Sequence, residues 1–253
     1  MLENKTILVA GAGGLLGGNL VKELISYNAN VIAIDIDKSQ IVKKLLDLDV
    51  NISSAQIRCL ELDLTDKIVM VNFFKEIDYL DGVVNCAYPR NSNYGKNFFD
   101  VTLDDFNENI SLNLGSCFLL MQQCALFFKK QNRDFSFVNV ASIYGISAPK
   151  FSIYNDTTMT MPVEYAAMKA GLLNLSKYIV AYVNNSKFRV NSVSPGGILD
   201  KQNQKFLQAY KQHTLGKGML EVNDVLGSIV FLLSSMSLYV NGQNIIIDDG
   251  FLL

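Results

Sequence analysis

The chain is poor in the residues that metal, redox and polyanion chemistry require. Of its 253 residues four are cysteine, one is histidine, and only 18% are charged. Cys59, Cys86, Cys117 and Cys124 lie far apart and form no CxxC pair, so metal-ligand spacing is absent and no metal is expected. A disulfide framework is unexpected in so large and apolar a chain, and the cysteines read as reduced, mostly buried thiols. The single histidine, His213, pairs with no nucleophile or carboxylate and reads as a surface residue. Net charge is −2. The pairs Lys43-Lys44 and Lys129-Lys130 are too short for basic tracts, so neither nucleic acid nor an anionic membrane is expected as a partner. No apolar run reaches the roughly 18 residues that span a bilayer. Met1 to Lys5 runs into a strand without a charged-then-apolar leader, and a cytoplasmic location is expected.

What is present is apolar bulk, 49% of residues, in a repeating order. Short β-rich runs alternate with helical patterns, which predicts βαβ units and a parallel sheet. Strands are expected at Thr6–Ala10, Val31–Ile34, Gln56–Leu60, Asp81–Asn85, Phe135–Val140, Phe188–Val193 and Asn244–Ile247. Long helices are expected over about Leu103–Lys130 and Pro162–Asn184. No repeat, linker or low-complexity tract interrupts the pattern. The expected fold is α/β: one doubly wound Rossmann domain over residues 1–253, about seven strands with helices on both faces, and a polar substrate-lid segment over about 199–218.

Gly11, Gly14 and Gly17 follow the first strand and open a helix. Glycines there permit a tight turn and let backbone N–H groups approach a pyrophosphate at the helix N-terminus. Asp35 ends the second strand, placed to accept from adenosine ribose hydroxyls and to repel a 2′-phosphate. No cation stands in the glycine loop or directly after Asp35, so NAD is expected rather than NADP. Asp63, after the third strand, serves either the adenine edge or the start of the next helix.

Tyr165 and Lys169 lie four apart on a predicted helix and so share a face. Ser142 ends the fifth strand, Asn85 ends the fourth, and Asn113 lies within the long helix. With the glycine loop, Asp63-Leu64, Asn85 to Ala87, Arg189-Val190-Asn191, Ser194-Pro195-Gly196 and Gly242-Gln243 before Asp248, the chain resembles the short-chain dehydrogenase/reductases across essentially its whole length. That resemblance implies an Asn-Ser-Tyr-Lys tetrad carried by Asn113, Ser142, Tyr165 and Lys169. Tyr165 would exchange the substrate's hydroxyl proton. Lys169 would favour the phenolate and hold nicotinamide ribose hydroxyls. Ser142 would polarise the reacting oxygen, and Asn113 would anchor a proton-relaying water. The implied cofactor contacts are Gly11, Gly14, Leu16, Gly17, Asp35, Asp63, Leu64, Asn85, Ala87, Pro195, Gly196 and Ile198, with Tyr165 and Lys169.

Two departures from the family pattern bear on the substrate. Asn85-Cys86-Ala87-Tyr88 stands where Asn-Asn-Ala-Gly is usual, which crowds the cofactor side of the pocket. Between Ser142 and Tyr165 lie 22 residues, a longer stretch than the family pattern implies. That stretch includes Tyr154-Asn155-Asp156-Thr157-Thr158, whose hydroxyl and amide groups suit a polyhydroxylated ligand or else a solvent-facing loop. Arg90 is placed to pair with a phosphate or carboxylate, or to lie solvated at the surface. Tyr88-Pro89-Arg90-Asn91, Tyr94-Gly95 and Met159 to Tyr165 resemble oxidoreductases of bacterial surface-sugar and flagellin-modification pathways. This implies a sugar or sugar-phosphate substrate, touched by Arg90, Tyr154 and Asn155, with hydride transfer at a hydroxyl or ketone. Sugar epimerisation or dehydration, and NAD(H) sensing without turnover, are the alternatives. Apolar stripes on the two long helices, and family habit, imply a homodimer or homotetramer.

Overall fold

A computed structural model describes residues 1–253. Seven strands form one parallel sheet: β1 (Thr6–Ala10), β2 (Asn30–Asp35), β3 (Ile57–Glu61), β4 (Gly82–Asn85), β5 (Phe135–Val140), β6 (Phe188–Pro195) and β7 (Asn244–Ile247). Their order is β3-β2-β1-β4-β5-β6-β7, so the chain reverses direction across the sheet between β1 and β4. A crevice opens at such a switch point, beyond the carboxyl ends of the strands. The expected doubly wound α/β fold with seven strands is what the chain adopts.

The helices are α1 (Leu15–Ser26), α2 (Lys38–Asp47), α3 (Lys67–Glu76), α4 (Leu103–Ile110), α5 (Ser116–Gln131), α6 (Val163–Val183), α7 (Gln204–Lys211) and α8 (Asn223–Leu233). The two-residue period of a strand divides the core into two layers. Ile7 and Val9 of β1 pack with Leu20, Leu24, Ile41 and Ile229 on the face of α1, α2 and α8. Leu8 and Ala10 pack with Phe73, Leu120, Phe127 and Leu172 on the face of α3, α5 and α6. A third cluster lies beyond the sheet and joins Tyr144, Tyr154, Phe206, Tyr210 and Phe251.

Two expectations change. The long helix is not uniform: α4 and α5 are joined by a π turn at Ser111–Gly115, which carries Asn113. Such widened turns occur where a side chain is re-aimed at a functional site. The composite helix Leu103–Gln131 spans 29 residues and is, by length and mean hydropathy, apolar enough to cross a bilayer. Scattered Asn, Gln, Ser and Gly interrupt its apolar runs, so no uninterrupted run reaches that length although the mean hydropathy stays high. In the fold, Leu120, Met121, Cys124, Phe127 and Phe128 of this helix are buried in the core.

Candidate active site

The glycine loop turns from β1 into α1. Gly11 has φ +76°, and a Cβ there would lie 2.7 Å from the Ala87 nitrogen beyond β4. A Cβ on Gly17 would collide with the Gly11 carbonyl oxygen, so α1 closes onto the loop only because residue 17 has no side chain. Gly14 is the N-cap of α1, and no side chain caps that end or places a carboxylate in its first turn. The first-turn N–H groups therefore face the crevice as donors. This is the cradle a pyrophosphate requires.

The cleft over this loop has a volume of about 650 Å³ and is lined by Gly11, Gly14, Asp35, Asp63 and Leu64 among others. Asp35 Oδ2 accepts from the Gly13 N–H at 2.9 Å, which fixes the carboxylate at the mouth of the loop. Asp63 lines the cleft and accepts from the Thr65 N–H and hydroxyl at 2.8 and 2.7 Å. Asp66, not Asp63, caps α3, accepting from the N–H groups of Ile68 and Val69. Of the two roles expected for Asp63, the helix start is thus filled by its neighbour. The charged lining residues are Asp35, Asp63 and Arg90, so no cation stands beside Asp35.

A second cavity of about 670 Å³ adjoins the first and shares Cys86, Ala87, Tyr88 and Arg90 with it. It brings together Ser142, Tyr165 and Lys169 with Leu16, Pro195, Gly196 and Ile198. Lys169 is buried and donates to the Val140 carbonyl at 2.8 Å, which anchors its ammonium 5.6 Å from the Tyr165 ring centroid. Ser142 Oγ accepts from the Tyr144 N–H at 3.1 Å, holding the hydroxyl at the start of a 3₁₀ turn. That turn lies directly on α6: a Cβ on Gly145 would fall 2.7 Å from the Lys169 carbonyl carbon. Asn113 is buried under the loop after β4, 3.5 Å from the Pro89 oxygen, and does not line the cavity. Asn85 is likewise buried, accepting from the Ala87 N–H at 3.2 Å and shaping the loop from beneath.

Tyr88 stands where the two cavities meet. Its ring meets the Tyr165 ring edge-on at 5.5 Å, and Lys169 Nζ lies 5.4 Å from its centroid. Arg90 lies 5.4 Å from the same ring and 5.9 Å from that of Tyr94. From the segment before α6, Tyr154 is buried and lines the cavity, while Asn155 is exposed and lies outside it. The amide-rich part of that segment faces solvent. Tyrosines supply the wall instead. Burial pushes the phenols of Tyr88, Tyr94, Tyr144 and Tyr210 up, and that of Tyr154 up to about 12, so these five are neutral hydrogen-bonding groups at working pH. Sequence reasoning missed Tyr144, Tyr210 and Gly145. Tyr210 accepts from the Gly197 N–H at 2.6 Å and so ties α7 to the end of β6. Only Gly145, a glycine three residues after Ser142, left a signal in the sequence.

The arrangement pairs an anion-binding glycine loop with a serine, a tyrosine and a lysine at the far end of one crevice. The family model described as enoyl-(acyl carrier protein) reductase matches residues 11–252. Post-translational flagellin modification protein A of Campylobacter coli is 36% identical over 255 residues, covering 99% of each chain. The 7alpha-hydroxysteroid dehydrogenase of Bacteroides fragilis is 29% identical, covering 98% of this chain and 94% of that one. A short-chain dehydrogenase from Leptospira borgpetersenii, solved with bound NAD+, superposes with a TM-score of 0.86 at 32% identity, covering 100% of this chain and 94% of that one. The chain belongs to the short-chain dehydrogenase/reductase family and is an oxidoreductase acting on an alcohol or carbonyl group.

Proposed function

We propose that the protein interconverts a hydroxyl and a ketone on a sugar or sugar phosphate, with NAD(H) as its cofactor, in the making of a surface-glycan or flagellin-modifying sugar. The observation that carries this reading is the joined crevice: Asp35 without a neighbouring cation at one end, Ser142, Tyr165 and Lys169 at the other. A carboxylate at the adenosine end favours free ribose hydroxyls and disfavours a 2′-phosphate. NAD(H), when bound, supplies or accepts the hydride.

The chain's own groups manage the proton and the oxygen. The Tyr165 hydroxyl gives a proton to the ketone oxygen or takes it from the alcohol. Ser142 Oγ donates to the same oxygen, and Lys169 keeps a positive charge beside the phenol. The sugar class is supported by similarity to the flagellin modification protein and by the cavity wall. Tyr94, Tyr144 and Tyr154 combine apolar ring faces with hydroxyls that can pair with a polyol. Assembly as a homodimer or homotetramer belongs to the same reading, since Phe118, Leu126, Tyr178 and Tyr182 leave apolar surface exposed on α5 and α6. Four free thiols fit a reducing cytoplasm.

The test is NADH formation from NAD with a panel of hexoses, hexose phosphates and nucleotide sugars. Turnover of one sugar class, lowered about 10²- to 10⁴-fold by Tyr165→Phe, is the expected result. Silence across the panel, in protein that still binds NADH, would sink the sugar reading.

A further inference from the structure

The loop after β4 is tied to α4 through Asn91, Asn93 and Lys96. The Asn91 N–H donates to Asn109 Oδ1 at 2.9 Å, and its amide donates to Glu108 at 2.6 Å. Asn93 and Lys96 both donate to Asp105 at 2.8 Å. These bonds occupy Asp105 and Glu108 of α4 and fasten the loop to that helix. Arg90 stands outside the network. Its guanidinium takes part in none of the molecule's ion pairs and in no hydrogen bond, in a chain with more acidic than basic residues.

The guanidinium is exposed but backed by aromatic rings. It lies over Tyr88 and within reach of Tyr94, whose rings meet edge-on at 5.7 Å and whose hydroxyls touch. Stacking on aromatic faces holds the planar fork while leaving its N–H edge free. Arg90 lines the catalytic cavity, where the other charged lining groups are Lys169 and Asp200. Lys169 is committed to the Val140 carbonyl and to the reaction. Lys150, outside the cavity lining, donates to the Phe251 carbonyl at 2.7 Å. Lys169 and Arg90 each lie 5.4 Å from the Tyr88 centroid, so the two cations are at most twice that distance apart. A short polyol chain spans such a gap.

Resting on the sugar reading of this site, we infer that Arg90 receives an anionic group carried by the substrate. That group is a phosphate or carboxylate, held on the tyrosine-backed fork while the distal carbinol meets Tyr165. The substrate is then an acidic polyol rather than a neutral sugar. A bidentate fork favours a group with two oxygens in one plane.

The experiment compares matched hexoses, hexose 6-phosphates and hexonates as substrates with NAD, in the wild-type protein and in Arg90→Ala and Arg90→Lys. Alongside it, inorganic phosphate is titrated onto the NADH complex of each protein by calorimetry. The expected result is a preference for one acidic class of about tenfold or more in kcat/KM, most of which disappears in Arg90→Ala. Arg90→Lys falls between them, because an ammonium keeps the charge without the fork. The class preferred separates phosphate from carboxylate. Phosphate binding weakens about tenfold in Arg90→Ala even if no panel compound turns over, so failure of the sugar reading does not hide the outcome. Unchanged acidic preference, or equal phosphate binding by wild type and Arg90→Ala, overturns the inference. So does a parallel loss of NADH affinity, which would assign the guanidinium to the cofactor's pyrophosphate.

Discussion

At the scale of single residues, charge placement decides what the crevice accepts. Asp35 is held by the Gly13 N–H at the mouth of the glycine loop and makes no ion pair, and the one cation lining the cleft is Arg90. Asp35→Ala should therefore lower the NAD-to-NADP ratio of kcat/KM by roughly tenfold, through lost ribose contacts and lost repulsion. A ratio unmoved by the substitution would remove Asp35 from cofactor choice. Asp105 shows the same principle applied to stability. The Lys96 ammonium, then Asn93 and Thr102, donate to it and hold its carboxyl at about 2, below the ordinary 3.8. A carboxyl lowered on folding stabilises the fold above its unfolded value, and that contribution is lost as pH falls from about 4 to about 2. Asp105→Asn should flatten the acid limb of a stability-against-pH curve over that window, read by chemical denaturation at several pH values. An unaltered acid limb would mean that the carboxyl is not coupled to folding.

At the scale of elements, the site is built from the ends of strands and the starts of helices. The β1–α1 connection works only because the helix lies against the loop. Gly17→Ala should force α1 away from the Gly11 carbonyl, costing about 1–3 kcal/mol and weakening NADH binding. Normal melting together with normal NADH affinity would show that the loop yields without loss. The β5–α6 connection is docked in the same way, with Gly145 against the backbone of Lys169. The long helix shows where periodicity runs out. A 3.6-residue pattern predicts continuous helix from Leu103 to Lys130. The insertion at Ser111–Gly115 changes hydrogen bonding without changing composition. Asn113 was legible as a candidate, but the widened turn that aims it was not, because a π turn uses the same residues as the helix around it.

At the scale of the whole molecule, Phe251 joins distant segments beside the catalytic cavity. It is buried, stacks on Tyr210 of α7 at 4.5 Å, and meets Tyr144 edge-on at 6.4 Å. Its carbonyl also accepts from Lys150. Phe251→Ala should cost about 3–5 kcal/mol and speed proteolysis within 211–218, the stretch that follows α7. Wild-type resistance to protease in the variant would show that α7 is held elsewhere. By itself, the sequence determined the sheet, the glycine loop and the pairing of Tyr165 with Lys169, because those features rest on local periodicity and on spacings of a few residues. Tertiary structure alone decided that Tyr154 enters the cavity while Asn155 does not, and that Asp66 rather than Asp63 caps its helix. It also placed Arg90 beside two tyrosines and packed Phe251 on Tyr210 of α7. These outcomes depend on contacts between segments far apart in the chain, whose geometry no local pattern of residues encodes.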